Sequence, residues 1–247
     1  MSGQPGHHVS KELSTRTWPD FERLFSQGGG WDSCGCMLYQ RGCHLSRKEF
    51  HTRAEQRPQN LLEKRELVEQ RKAHGILVYA DGEPVGWCQY GPVSELPIAH
   101  RPRQSPGVLA HDPTSQWRIT CFVTLKTHRR QGVAGTGLAA ALVAIGTRGG
   151  GWVEGLPIAL VQSKDDLRRR IRVQGPDSEE VEQYLKAWPK IVVRGVGPVP
   201  AVAGSFGNVS HSGTVSMFSQ HGFEAVRVVR ETRVLMRRQI PAADGPR

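Results

Sequence analysis

The chain has 247 residues, 38% of them hydrophobic and 23% charged, with a formal net charge of +10. That length can bury a sizeable core and that balance argues against a disordered chain, while the lack of any run of about 18 apolar residues argues against a transmembrane helix. An odd count of five cysteines does not suit a secreted disulfide framework, and the opening MSGQPGHHVSKELS has no apolar signal core, so the expected compartment is the cytoplasm. The positive charge favours anionic partners such as phosphates, nucleotides or nucleic acid; the alternative is an arginine-rich solvated surface.

A first strand is expected over residues 9–16, followed by a short helix over WPDFERLFS, residues 18–26. Residues 46–73 are rich in Glu, Lys, Arg and Gln, with Leu61, Leu62 and Leu67 at helical spacing, which predicts a helix interrupted near Pro58. In HGILVYADGEPVGWCQYGP two apolar runs flank Asp81-Gly82, the signature of a tight hairpin. Residues 93–116, rich in Pro, His and Ser, read as an ordered loop, and WRITCFVTL, residues 117–125, as a buried β-branched strand. A helix from about 132 to 147 and a strand starting at Trp152 follow. The pattern weakens from 163 to about 206; beyond it VSMFSQHGF predicts a short helix stopped at Gly222, and FEAVRVVRETRVLMRR two terminal strands. Together these elements predict a single α/β (α+β) domain covering 1–247, with a divergent basic insertion at about 163–205.

The glycine-rich stretch THRRQGVAGTG between a strand and a helix is where a phosphate can sit. The first helical N–H groups point outward, the helix dipole adds partial positive charge, and glycine permits close approach. A Walker loop would need Gly-Lys followed by Ser or Thr, which is missing, and Gly132, Gly135 and Gly137 stand as G-x-x-G-x-G instead of the dinucleotide G-x-G-x-x-G. Arg129-x-x-Gly132-x-Ala134 after an apolar strand resembles the coenzyme A signature of the GNAT superfamily of N-acetyltransferases. The blocks WDSCGCMLYQRG, GILVYADGEPVGWCQYGP, WRITCFV, VEGLPI and SGTVSMFSQHGF are similar to one group within it, over roughly residues 8–238 with 163–205 matching poorly.

The resemblance implies a mixed, curved central sheet flanked by helices, with two central strands splayed apart to admit the pantetheine arm. It implies acetyl-coenzyme A, or another acyl-coenzyme A, as co-substrate and a small-molecule amine as acceptor; no metal and no membrane partner are expected. Backbone N–H groups of Arg130, Gln131, Gly132, Val133, Ala134 and Gly135 would hold the pyrophosphate and Arg129 would add charge. Phe122, Val123 and Thr124 would pair with the pantetheine, and an N–H there would polarise the thioester carbonyl. Thr124 and Lys126 depart from the family's usual aliphatic residue and proline without removing a backbone donor. Glu154 is the candidate base, the alternative being an ion pair with an arginine. The family's tyrosine acid is replaced by Phe218, leaving Ser212, Thr214, Ser216 or His221 as substitutes, Ser216 the chosen candidate, or departure of the thiolate to water.

Other groups carry two readings each. Cys34, Cys36, Cys43 and His44 have ligand types without a standard zinc spacing, and buried thiols are the alternative. Trp31, Trp87 and Tyr90 line an acceptor pocket or pack the core. His111 and His211 are surface or loop residues, or take part in acid–base work. Arg168, Arg169, Arg170 and Arg172 would contact RNA if aminoacyl-tRNA were the donor, or would pair with Asp165, Asp166 and DSEEVE on a solvated face.

Overall fold

The structure, a computed structural model, describes residues 8–28, 31–41, 55–97, 112–159, 165–186, 190–200, 210–229 and 233–243. The chain divides into two compact units, Met1–Gly155 with Arg238–Arg247, and Leu156–Arg237. The second unit takes in the described part of the region expected as an insertion.

The first unit begins with β1 (Val9–Glu12) and α1 (Trp18–Phe25), where Pro19 lies in the first turn and its missing N–H breaks no helical bond. A single turn, α2 (Leu38–Arg41), and the longer α3 (Gln56–Glu69) follow. Pro58 lies in the first turn of α3, so it marks the start of the helix where an interruption was expected. The buried residues of α3 are Asn60, Lys64 and Val68, one residue every fourth, while Leu62 is 55% exposed. Leu61 and Leu67 are half-buried and pack against the core, so two of the three leucines do mark the inward side, but its fully buried positions include the polar Asn60 and Lys64.

Four strands complete the unit: β2 (His74–Ala80), β3 (Glu83–Pro92), β4 (Trp117–Thr124) and, after helix α4 (Val133–Thr147), β5 (Gly151–Gly155). Asp81 and Gly82 both have positive φ, 51° and 81°, the backbone that matches strand twist in a two-residue hairpin. The strands lie in the order β1–β2–β3–β4–β5, antiparallel up to β4, with β4 and β5 parallel and α4 as their crossover. This is the mixed α/β sheet flanked by helices that the sequence predicts.

Side-chain alternation assigns the faces. Trp87 of β3 meets α1 through Phe21 and Phe25, ring centroids 4.9 and 6.2 Å away, while Val78, Gly86 and Cys88 face α4. The backbone of α4 comes close because Gly137 has no side chain: a Cβ there would lie 3.0 Å from Cys88 Cβ. On the other face the Trp87 ring lies over Gly75, where a Cβ would come within 2.0 Å of the indole. Trp87 is itself buried against α1, so Gly75→Ala should cost about 1–3 kcal/mol, read as a lower urea midpoint with unchanged slope. An unchanged midpoint would mean that the ring can move aside.

Register shifts between Val78 and Tyr79, and between Gln89 and Tyr90, interrupt the regular pairing of β2 with β3 and of β3 with β4, and such interruptions bend a sheet. Pairing of β4 with β5 runs only over Trp117–Ile119 against Val153–Gly155, and β4 continues to Thr124 after β5 has ended.

The second unit holds α5 (Asp165–Gln174), α6 (Glu179–Lys186), the antiparallel pair β6 (Lys190–Val193) and β7 (Gly197–Pro200), α7 (Val215–Gln220), and β8 (Glu224–Val229) paired antiparallel with β9 (Arg233–Ile240), whose residues from 238 on are assigned to the first unit. Thr214 caps α7, its side chain accepting from Met217 N–H at 3.3 Å, and the chain turns at Gly222 with φ +73°. The expected strand from Trp152 stops at Gly155; Ile158 forms only isolated bridges to Thr214 and Arg233.

Candidate functional site

The segment from β4 into α4 is built by the sequence in three steps. Leu125 N–H donates to Val85 C=O at 3.0 Å, which fixes the end of β4. A single 3₁₀ turn, Lys126–His128, then reverses the chain, supported by Gln131 Nε2 donating to Thr127 C=O at 3.0 Å. Arg130 takes φ +62° and Gly132, the N-cap of α4, φ +85°. A left-handed cap is cheap only for glycine, and a Cβ on Gly132 would meet nothing within 4 Å, so the residue stands open to solvent.

The first intrahelical bond of α4 is Thr136 N–H to Gly132 C=O at 2.9 Å. The N–H groups of Val133, Ala134 and Gly135 therefore precede the helical ladder, and Gly132 provides no side-chain cap for them. Arg129, Arg130, Gln131 and Gly132 are exposed beside them, and α4 adds the positive end of its dipole. This arrangement suits a phosphate dianion or diphosphate. Phe122 and Val123 are buried and Thr124 half-buried, on the part of β4 that has passed the end of β5.

Glu154 sits at the other end of that divergence. It pairs in register with Arg118 and is fully buried, with Arg118 3% exposed. Its Oε1 accepts from Arg118 Nε at 2.6 Å and its Oε2 from Asp112 N–H at 2.7 Å. Arg118 Nη1 in turn donates to Leu96 C=O. The environment is thus that of the ion-pair alternative to a base: both carboxylate oxygens are engaged and the group has no contact with solvent. Arg118 and Asp112 were not singled out from the sequence; the available signal was an arginine inside the apolar run WRITCFV, opposite the single carboxylate of the next strand.

The remaining expectations fall as follows. Trp87 and Tyr90 are buried core residues, and Trp31 packs half-buried against the cluster around α1. Phe218 is fully buried in the second unit with Phe223 edge-on at 4.8 Å. Ser216 in that unit is exposed and shares a 3.1 Å hydrogen bond with Thr214 Oγ1, while His221 Nδ1 lies 2.8 Å from Met217 C=O. Cys43, His44 and His111 lie outside the described residues, and among those described no group of His, Cys, Asp or Glu could hold a metal ion. Arg170 of α5 stacks its guanidinium 4.2 Å from the Tyr184 ring centre, Arg172 is exposed, and the side chains of Arg168 and Arg169 are outside the described residues. No described helix is long and apolar enough to cross a membrane.

Among known proteins, no curated one matches the chain. Solved structures similar to it include an N-acetyltransferase from Staphylococcus aureus Mu50, 7% identical over 95% of this chain and 99% of that one, TM-score 0.44. They also include the PaiA N-acetyltransferase of Thermoplasma acidophilum in complex with coenzyme A, 8% identical over 94% and 99%, TM-score 0.43. A third is a histone acetyltransferase HPA2 and related acetyltransferase from Corynebacterium glutamicum, 12% identical over 96% and 98%, TM-score 0.42. Residues 39–152, which run from α2 through the glycine turn and α4 to the start of β5, match the model of the acetyltransferase (GNAT) family.

Proposed function

We propose that this acetyltransferase moves an acyl group, acetyl in the simplest case, from acetyl-coenzyme A to the amine of a small molecule by direct attack in a ternary complex. The observation that carries the reading is the left-handed Gly132 cap, which leaves the N–H groups of Val133, Ala134 and Gly135 facing outward beside Arg129 and Arg130. These groups would bind the pyrophosphate, with the N–H groups of Arg130, Gln131 and Gly132 completing the cradle. The stretch Phe122–Thr124, which extends past β5, would take the pantetheine arm as an added strand, and an N–H of that stretch would polarise the acyl carbonyl.

Within this reading Glu154 is a positioning residue. Its ion pair with Arg118 ties β4 to β5 one rung before their pairing ends, which sets where the strands part. The thiolate leaves to water, and Ser216 is the side-chain alternative as acid. Aminoacyl-tRNA as the donor is the less favoured reading, because Arg170 is already engaged over Tyr184 within its own unit.

Calorimetric titration with acetyl-coenzyme A, and separately with bulk tRNA, tests the choice. Saturable coenzyme binding with only weak, salt-sensitive tRNA binding is expected. tRNA binding with no heat from the coenzyme would transfer the donor role to aminoacyl-tRNA.

A further inference from the structure

The sheet face turned toward α1 and α3 carries a buried polar cluster for which acyl transfer has no use. At its centre is Lys64 of α3, fully buried, its ammonium bonded to Gln40 Oε1 and lying 5.7 and 5.9 Å from the ring centres of Trp87 and Phe21. A buried cation is costly unless an anion faces it. The ionisable groups acting on Lys64 are three thiols, Cys36, Cys34 and Cys121, and no carboxylate among the described residues is paired with it. Burial pulls the ammonium down to about 8, and the thiols work against that fall.

Cys36 is the most constrained of these thiols. Its φ of +50° is left-handed, a conformation unfavourable for a residue with a side chain. Its carbonyl accepts from Gln89 Nε2 at 2.9 Å, and Thr120 Oγ1 holds Gln89 Oε1 at 2.9 Å. So anchored, Cys36 places its sulfur 3.3 Å from that of Cys121 on β4. Burial pushes the Cys36 thiol up, but the Cys121 thiol and the Lys64 ammonium outweigh it, and the net direction is down; Cys121 is pushed up by its hydrogen bond with Cys36 and by burial. The two sulfurs are thus pushed in opposite directions, which makes Cys36 the one that gives up its proton more readily.

We propose that Cys36 and Cys121 are a peroxide-oxidisable pair that closes to a disulfide, tying the Trp31–Arg41 segment to β4, with Lys64 as the cation that supports the attacking thiolate. The Cys36 thiolate attacks one oxygen of hydrogen peroxide; the O–O bond breaks, Cys36 becomes a sulfenic acid, and the departing hydroxide takes a proton to leave as water. The Cys121 sulfur, losing its proton, then attacks the Cys36 sulfur; the S–O bond breaks, the S–S bond forms, and a second water leaves. Two thiols are oxidised by two electrons and one peroxide is reduced to two waters. The sulfurs must close from 3.3 Å to about 2.0 Å, a movement of the size side chains make without unfolding. With Cys36 2% and Cys121 8% exposed, the oxidant must be as small as peroxide; oxidised glutathione is too large to enter.

The test is stoichiometric peroxide on the reduced, folded full-length chain, followed by thiol blocking and peptide mapping. The expected result is a mass lower by about 2 Da, the loss of two of the five thiols, and a Cys36–Cys121 linked peptide. Cys121→Ser should instead leave a dimedone-reactive sulfenic acid at Cys36, and Cys34→Ser should change nothing. Lys64→Met, checked for its thermal unfolding, should slow bridge formation by roughly tenfold or more. A bridge from Cys34 or Cys43, two unreacted thiols at Cys36 and Cys121, or a rate indifferent to a folded Lys64→Met would overturn the proposal. None of these readouts depends on which acyl donor the protein uses.

Discussion

Replacing Gly132 by glutamate should weaken acetyl-coenzyme A binding by about 100-fold or more, equivalent to about 2.7 kcal/mol, while leaving the protein folded. The two effects separate because of the geometry at this residue. A side chain on Gly132 enters open space, so no packing is lost, and the strain of a left-handed φ costs roughly 1–2 kcal/mol. A carboxylate at the N-terminus of α4 also gains from the helix dipole, typically about 0.3–1 kcal/mol, which offsets part of that strain. The same carboxylate would sit where the pyrophosphate should, repelling it and competing for the N–H groups of Val133, Ala134 and Gly135. Gly132→Ala supplies the control, since it carries the strain without the charge and should weaken binding only a few-fold. Calorimetric Kd values alongside thermal unfolding read both variants. A glutamate variant that binds like the parent would remove the pyrophosphate from this turn, whatever else the enzyme does.

This segment was legible in the sequence because its information is local. A strand, a positively charged turn with glycines, and an apolar helix follow one another within residues 117–147, and each has a short-range signature. The hairpin at Asp81-Gly82 is similar, and so is the glycine stop after α7. What local spacing does not carry is set by distant contacts. In α3 the leucines have helical spacing, and Leu61 and Leu67 pack on the core, but the fully buried positions also include Asn60 and Lys64. Those two find partners in Ser33 C=O and Gln40, far away in sequence, and a helix pattern cannot register them. The Arg118–Glu154 pair is another case, since it exists only because β4 and β5 are parallel in one register, bringing together residues 36 positions apart. Spacing along the chain contains no trace of that register, whereas the charge type of each residue does. A lone carboxylate on an apolar strand calls for a partner or a task.

The energetics of that pair give the second large expected effect. Removing one member leaves the other buried and uncompensated, so Glu154→Leu and Arg118→Met should each cost about 3–5 kcal/mol, seen as a fall in the unfolding midpoint of roughly 6–20 °C. The double variant Arg118→Met/Glu154→Leu removes both charges and keeps most of the volume. It should recover most of the loss, as buried pairs replaced by apolar residues generally do. Two hydrogen bonds from neighbouring segments limit the recovery, because Asp112 N–H and Leu96 C=O lose their partners. The double variant also separates a strut from a base. If Glu154 only ties the strands together, the refolded double variant should turn over within about tenfold of the parent with an unshifted pH profile. If Glu154 takes the proton from the amine, the double variant would be stable yet slower by about 10²–10⁴-fold, with the deficit shrinking as rising pH deprotonates the acceptor in solution. Full burial and two occupied oxygens favour the first outcome, because a carboxylate that accepts a proton there would leave Arg118 charged, buried and alone.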